Sequence, residues 1–149
     1  MPPTIQVIFF DLGDTLVNVA THKFLPGAKT LLAELHISGV KLGIISNTGN
    51  LTRAQMTTLL PPDFDWAQFE PDLVVLSAEV GFEKPDPVIF DKAVSKAGID
   101  ASLCLYCSEN LLETLVAQQV GLRAARLQSP AQSDANDLLA ALTSAGLLV

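Results

Sequence analysis

The sequence is short of cationic residues: 9 Lys and Arg stand against 16 Asp and Glu, for a formal net charge of −7. That balance repels polyanions, so neither nucleic acid nor an anionic membrane surface is an expected partner. Long apolar runs are also missing, and none approaches the roughly 20 residues needed to cross a bilayer. The segment Met1-Pro2-Pro3-Thr4 lacks the basic and apolar stretches of a signal peptide, which makes the cytoplasm the expected location. There is no internal repeat, low-complexity tract or linker. What remains is 149 residues, 49% of them hydrophobic, enough for a single domain over 1–149 with a sizeable core. A small phosphorylated ligand is still compatible with the net charge, since one lysine and a metal ion suffice to hold it.

Cysteine is scarce as well. Cys104 and Cys107 form a C-x-x-C, a spacing that in redox proteins sits at a helix start. Here the surrounding run, Leu103-Cys104-Leu105-Tyr106-Cys107, reads as a strand. An odd separation along a strand sends the two sulfurs to opposite faces, so they are expected to be buried structural thiols.

The chain is organised around Val7-Ile8-Phe9-Phe10-Asp11-Leu12-Gly13-Asp14-Thr15-Leu16. Its first half is a short apolar run rich in β-branched and aromatic residues, as in a strand buried on both faces. It stops at an aspartate, and a carboxylate at the end of a buried strand is costly unless something pairs with it.

Val17 to Leu25 reads as an irregular segment carrying His22 and Lys23. Pro26-Gly27 opens a helix that Gly39 closes, with Leu31, Leu32 and Leu35 on one side. Lys41 to Ile45 is a second strand, ending at Ser46-Asn47-Thr48-Gly49. Asn50 is placed to cap a helix through Leu60, which Pro61-Pro62 stops. Asp63 to Asp72 reads as a loop whose Phe64, Trp66 and Phe69 pack on the core, and Leu73 to Leu76 is a third strand. Asp86 as N-cap with Pro87 at the first helical position starts a helix to about Ala97, ended by Gly98. Leu103 to Cys107 is a fourth strand, followed by Ser108-Glu109-Asn110 and a helix to Val120 with Gly121 as its stop. Arg123 to Leu127 is a fifth strand, and Ser133 or Asp134 caps a last helix to about Ser144. Strands alternating with helices predict a parallel sheet covered on both faces.

In such a sheet the carboxyl ends of the strands share one edge, where ligands bind. That edge would gather Asp11 and Asp14 from the first strand, Ser46 and Asn47 from the second, Lys84 from the loop after the third, and Ser108, Glu109 and Glu113 from the fourth. Carboxylates crowded there repel one another, and a hard cation such as Mg2+ relieves the repulsion. Ser46 and Lys84 beside it suit an anion, and a phosphoryl group meets both demands.

The order Asp-x-x-x-Thr, then Ser, then Lys-Pro, then an acidic pair resembles the haloacid dehalogenase-like superfamily of phosphohydrolases. The segments Phe10-Asp11-Leu12-Gly13-Asp14-Thr15-Leu16 and Glu79-x-Gly81-x-x-Lys84-Pro85-Asp86-Pro87 carry most of the likeness. The resemblance implies a three-layer, Rossmann-like doubly wound α/β fold with a mainly parallel five-stranded sheet. It implies that Asp11 is a nucleophile forming an aspartyl-phosphate. Ser46, Asn47 and Lys84 would hold the phosphoryl oxygens, and Asp11, the Gly13 carbonyl, Glu109 and Glu113 would hold Mg2+. The substrate implied is a small phosphorylated molecule or a phosphorylated macromolecule; self-association is left open.

Three departures stand out. The family's phosphatases carry an aspartate, as general acid and base, where this chain has Gly13; Asp14 follows one place later, and His22 is a further candidate for that work. Glutamates 109 and 113 replace the usual aspartates, and a second alignment puts Ser108 at the first acid's place. The gaps from Asp11 to Ser46 and from Ser46 to Lys84 are too lean for a cap domain, so the capless members are the expected match. The rival expectation is a pseudoenzyme of the same fold that binds a phosphorylated ligand or a protein partner.

Overall fold

The computed structural model describes residues 5–18 and 20–126. Five strands make one parallel sheet: β1 (Val7–Phe10), β4 (Lys41–Ser46), β5 (Val74–Leu76), β6 (Cys104–Ser108) and β7 (Arg123–Arg126). Their order is β5-β4-β1-β6-β7. The first strand is therefore central, with β4 and β6 paired to it in parallel on either side. All four of its side chains are buried, which explains why it reads as a continuous apolar run and not an alternating one. The chain winds outward through β4 and β5, then returns to the other side of β1 through β6 and β7. The reversal falls between β1 and β6, where the crossovers part and leave a crevice at the carboxyl ends.

Helices cover both faces. Helix α1 (Ala28–Ser38) and the short α2 (Arg53–Thr57) pack on one side, burying Leu31, Leu32, Leu35 and Met56 against Ile8, Phe10, Leu42 and Ile44. Helices α4 (Pro87–Ala97) and α5 (Leu111–Val120) pack on the other, where Ile89, Phe90, Ala93 and Ala117 meet Phe9, Ile45 and Tyr106. The expected start of α4 holds in detail, with Val88 N donating to Asp86 Oδ1 at 2.9 Å and Pro87 at the first position. Among the described residues no helix is long and apolar enough to cross a membrane. The expected last helix after Ser133 lies outside the described residues, as does Leu127 of the fifth strand.

Two local expectations are corrected, and one element is added. The segment from Val17 to Leu25 is not irregular: β2 (Val17–Asn18) and β3 (Lys23–Phe24) pair antiparallel as a small ribbon. Its turn is closed by Asn18, whose Oδ1 accepts from Ala20 N and Thr21 N at 2.9 and 3.2 Å, a side-chain turn that leaves no apolar periodicity to read. Second, Thr52 and not Asn50 caps α2. Gln55 N donates to Thr52 Oγ1 while Thr52 N donates to Gln55 Oε1, a reciprocal box that satisfies two otherwise free amides. That helix ends at Thr57, since Thr57 and Thr58 turn their hydroxyls back onto the Arg53 and Gln55 carbonyls and Pro61 disfavours helix at Leu60. Third, a single-turn helix, α3 (Ser77–Val80), stands between β5 and Lys84. The aromatic loop residues do pack on the core: Phe64 stacks on Phe24 and Phe69 and meets Trp66 edge-on, tying the ribbon to the 63–72 segment.

Gly43 on β4 faces Phe9 across the register of the central pair. A Cβ there would lie 2.6 Å from the Leu73 carbonyl oxygen and 2.7 Å from the Phe9 ring. Backbone on one side and a fully buried ring on the other cannot both retreat. Gly43→Ala is therefore expected to destabilise the fold by about 1–3 kcal/mol, measured as a lower urea midpoint with an unchanged slope.

The two cysteines lie on opposite faces of the sheet, Cys104 toward α4 and α5 and Cys107 toward α1 and α2. Both are free and buried. Burial pushes the Cys104 thiol up to about 11 and the Cys107 thiol higher still. A thiol with its folded value raised keeps its full contribution to stability below the unfolded value and loses it as pH climbs through the window above. At pH 8 both are thiols, so the native protein is expected to show no rapid reaction with Ellman's reagent and to release two equivalents once denatured. Fast native labelling at both positions would reinstate a redox role.

Candidate active site

Parallel register brings the site together. The pairs Val7↔Cys104 and Phe9↔Tyr106 continue to the strand ends, where Asp11 N donates to the Cys107 carbonyl at 3.0 Å and Asp11 stands beside Ser108. Asp11, Tyr106 and Ser108 thus share the sheet face covered by α4 and α5. Lys84 enters that face from the loop before α4. Although its neighbours in the loop are exposed, Lys84 is only 6% exposed.

The ammonium of Lys84 meets three acceptors: Asp11 Oδ1 at 2.8 Å, Glu113 Oε1 at 3.0 Å and the Tyr106 hydroxyl at 3.0 Å. It donates hydrogen bonds to Asp11 and Tyr106, and Glu113 pairs with it as an ion. Tyr106 passes its own proton toward Glu113 Oε1 at 2.6 Å. Burial first, then the nearby Asp11 and Glu113 charges, hold the tyrosine well above its usual range, so it stays a donor. Asn47 fixes the lysine from behind: Lys84 N donates to Asn47 Oδ1 at 2.7 Å, and Asn47 Nδ2 donates to the Lys84 carbonyl at 2.9 Å. Expected as a substrate ligand, Asn47 has its side-chain amide engaged by the lysine's backbone, and so positions Lys84.

Asp11 has two unlike oxygens. Oδ1 accepts from Lys84 and from Leu12 N at 2.9 Å, while Oδ2 has only the Thr15 and Ser108 hydroxyls, each at 3.5 Å. Oδ2 is the oxygen left free for chemistry. Burial lifts the Asp11 carboxyl above its ordinary range, against the pull of Lys84.

The acids after β6 divide their work. Ser108, fully buried, is the residue opposite Asp11, and Glu113 one helical turn on is engaged by Lys84, Tyr106 and Ser108. Glu109 sits further out, half-buried, its amide donating to Thr15 Oγ1 at 3.2 Å. Its carboxyl is raised by burial and then by Asp11, Glu113 and Asp14, in that order. Among the described residues no three His, Cys, Asp or Glu side chains converge closely enough to enclose a metal. The reason is visible: Lys84 stands between Asp11 and Glu113 and takes the place of a cation. Even so, the chemistry of the donors that remain, the Asp11 and Glu109 carboxylates and the backbone carbonyl of Gly13, suits Mg2+, which commonly takes one or two carboxylates and fills its octahedron with water and substrate oxygens.

Ser46, Gly13, Asp14 and His22 complete the edge. Ser46 is buried at the end of β4 but alternates to the opposite face from Asp11, toward Leu12. Gly13 is bridged to Val17 of the ribbon. Its backbone is not in the left-handed region, whereas Asp14 is, at φ 60°, and so is His22 at 57°. Sequence reasoning missed Tyr106 and the Asn47 clamp. The first had a signal, a single hydroxyl-bearing ring inside an apolar strand, since a buried tyrosine hydroxyl needs a partner.

Comparison with known proteins bears on the fold and the family. The sequence model of a family described as haloacid dehalogenase-like hydrolase matches residues 17–121. No curated protein matches in sequence. Among solved structures, an uncharacterized protein from Listeria monocytogenes serotype 4b superposes with a TM-score of 0.78 at 22% identity, covering 94% of this chain and 98% of that one. A variant of CbbY from Rhodobacter sphaeroides, in complex with xylulose-(1,5)bisphosphate, gives 0.69 at 15% identity over 85% and 87%. A HAD family enzyme from Bacteroides thetaiotaomicron, in complex with magnesium and inorganic phosphate, gives 0.61 at 17% identity over 84% and 95%. These likenesses establish the shared fold, and the family match spans well over half of the sequence, so the chain belongs to the haloacid dehalogenase-like hydrolases.

Proposed function

We propose that this protein is a capless, Mg2+-dependent phosphohydrolase working through a phosphoryl group carried on Asp11. The observation that carries the reading is the Asp11–Lys84 pair, a buried carboxylate with one oxygen held and one free, at the crevice where the sheet reverses. An Asp11 oxygen attacks phosphorus, and the bond from phosphorus to the ester oxygen breaks. That oxygen leaves with the electron pair and takes up a proton. Water then attacks the phosphorus of the aspartyl-phosphate, releasing inorganic phosphate and restoring the carboxylate. Ser46 and Lys84 hold phosphoryl oxygens, the lysine giving up one of its present acceptors to do so. Asn47 keeps the lysine in place. Asp11, the Gly13 carbonyl and Glu109 would hold Mg2+, which when bound would neutralise charge on the phosphoryl group. Glu113 serves chiefly as the counter-ion of Lys84. The substrate is a phosphate monoester, on a small molecule or on a larger one.

Turnover is expected to be slow, because Gly13 carries no acid where the family's phosphatases have one. General acid–base help is typically worth about 10²–10⁴-fold. Asp11→Asn is expected to abolish magnesium-dependent release of phosphate from an aryl phosphate. Equal rates for wild type and variant would remove Asp11 from the chemistry.

A second reading is favoured by a separate observation: Ser108, which cannot bear a charge, stands opposite Asp11, and Glu113 is neutralised by Lys84. A site with so few free charges suits a binding protein that turns nothing over. Magnesium distinguishes the two. If the metal site is real, millimolar Mg2+ raises the melting temperature by preferential binding to the native state, about 1.4 kcal/mol at ten times the dissociation constant. A melting curve unmoved by magnesium would favour the second reading.

The double variant Gly13→Asp, Asp14→Gly tests what limits the rate. The backbone favours it, since residue 13 has ordinary dihedrals and residue 14 the left-handed ones that glycine adopts without strain. Restoring the acid this way is expected to raise turnover on an aryl phosphate at least tenfold. A folded double variant with no gain would mean that the missing acid is not limiting.

A further inference from the structure

A cleft of about 250 Å³ opens beside the candidate active site, on the Ser46 side of the sheet edge. One wall is the segment around α2, with Leu51, Met56, Leu59 and Leu60; the other is Leu12 and Val17, from the turn after Asp11 and the ribbon. Ser46 and Asn47 line it where it meets the edge, together with Leu12 and Gly13, the two residues that follow Asp11. No carboxylate, ammonium or guanidinium lines it among the described residues, and His22 is its one titratable group.

Resting on the phosphohydrolase reading above, we infer that this cleft holds the leaving group of the substrate, and that the leaving group is small, uncharged and apolar. The division of the edge between faces supports this. Lys84, Tyr106, Ser108 and Glu113 fill the Asp11 face with charged and hydroxyl groups already bonded to one another. A phosphoryl group straddling the edge between Lys84 and Ser46 has this cleft adjoining it on the Ser46 side, where leucine and methionine form the wall. Size narrows the class further. A water molecule's share of the liquid is about 30 Å³, so the cleft takes roughly eight such units, less than the 300–1,000 Å³ typical of larger ligands. A branched alkyl chain or a single aromatic ring fits; a second phosphate, as in a sugar bisphosphate, finds no ammonium or guanidinium to receive it. Burying methylene groups against the Leu51, Met56, Leu59 and Leu60 wall favours the apolar ester by about fourfold each, whereas a hydroxyl set against that wall, away from Ser46, Asn47, Thr48 and His22, loses its water without gaining a partner.

The test compares 3-methylbutyl phosphate with 4-hydroxybutyl phosphate, two primary alkyl esters of similar length and leaving-group basicity, so that differences in bond cleavage cancel. We expect kcat/KM to favour the 3-methylbutyl ester at least tenfold. Leu59→Glu should reduce that ratio to near one; Leu59 is 41% exposed, so the change is compatible with folding, checked by circular dichroism. Hydrolysis that depends on Asp11 but shows no preference, or a preference for the hydroxyl ester, overturns the inference and leaves the phosphohydrolase reading intact. If neither ester is hydrolysed, binding of 3-methylbutylphosphonate is followed by NMR titration. Binding weakened at least tenfold by Leu59→Glu then upholds the apolar cleft while the catalytic reading falls, and binding absent in the wild type overturns both.

Discussion

A buried ammonium is the constraint around which this structure is arranged. Desolvating the Lys84 charge costs several kcal/mol, and the fold offsets it with three acceptors drawn from three places: Asp11 at the end of β1, Tyr106 within β6 and Glu113 on α5. Each must arrive together. The parallel register of β1 and β6 sets Asp11 and Tyr106 on one face, the Asn110 cap starts α5 so that Glu113 turns inward, and Asn47 at the end of β4 fastens the lysine's own backbone. Such a cluster is weak evidence for stability, since an apolar replacement is often as good. Its value is geometric. It leaves one oxygen of Asp11 held and the other free.

Charge balance carries the argument to the metal. Four carboxylates, Asp11, Asp14, Glu109 and Glu113, act on one another here, and one lysine answers two of them. Burial first, then the charges of Asp11, Glu113 and Asp14, raise the Glu109 carboxyl. A cation would be drawn to that outer side, near Glu109, and not to the inner side that Lys84 already serves. The same reasoning explains why no closed cage of acids is found among the described residues, and why the ion best suited is one that tolerates water and substrate oxygens in its shell.

Much of this was legible in the sequence because it rested on local rules. Apolar run length marked the strands, Asp86-Pro87 marked a helix start, and the odd spacing of Cys104 and Cys107 placed them on opposite faces. What was not legible required knowing which neighbour wins. Asn50 and Thr52 both cap helices, and only the reciprocal bond with Gln55 decides between them. Ser108 and Glu109 are adjacent, and only the alternation of β6 shows that the serine faces Asp11. Asn47 reads as a ligand from its place after a strand, yet its partner is a backbone 37 residues away. Long-range pairing of that kind leaves no periodic trace.

The sheet edge has two sides, and the strand alternation that separates them also divides the chemistry. Odd positions along β1 carry Phe9 and then Asp11 toward α4 and α5; even positions carry Phe10 and then Leu12 toward α1 and α2. On β4 the alternation sends Ile45 to the first side and Ser46 to the second. Charge therefore collects on one side and an apolar cleft on the other, with Gly13 at the seam, tied by its bridge to Val17 of the ribbon. A residue at that seam touches both halves, and there an acid would reach a leaving group entering from the cleft. Glycine at 13 and a left-handed aspartate at 14 shift the acidic side chain one place along, onto a backbone that directs it differently. The acidic side chain beside this seam thus belongs to Asp14 and not to residue 13, and the difference turns on which of two adjacent residues bears a Cβ.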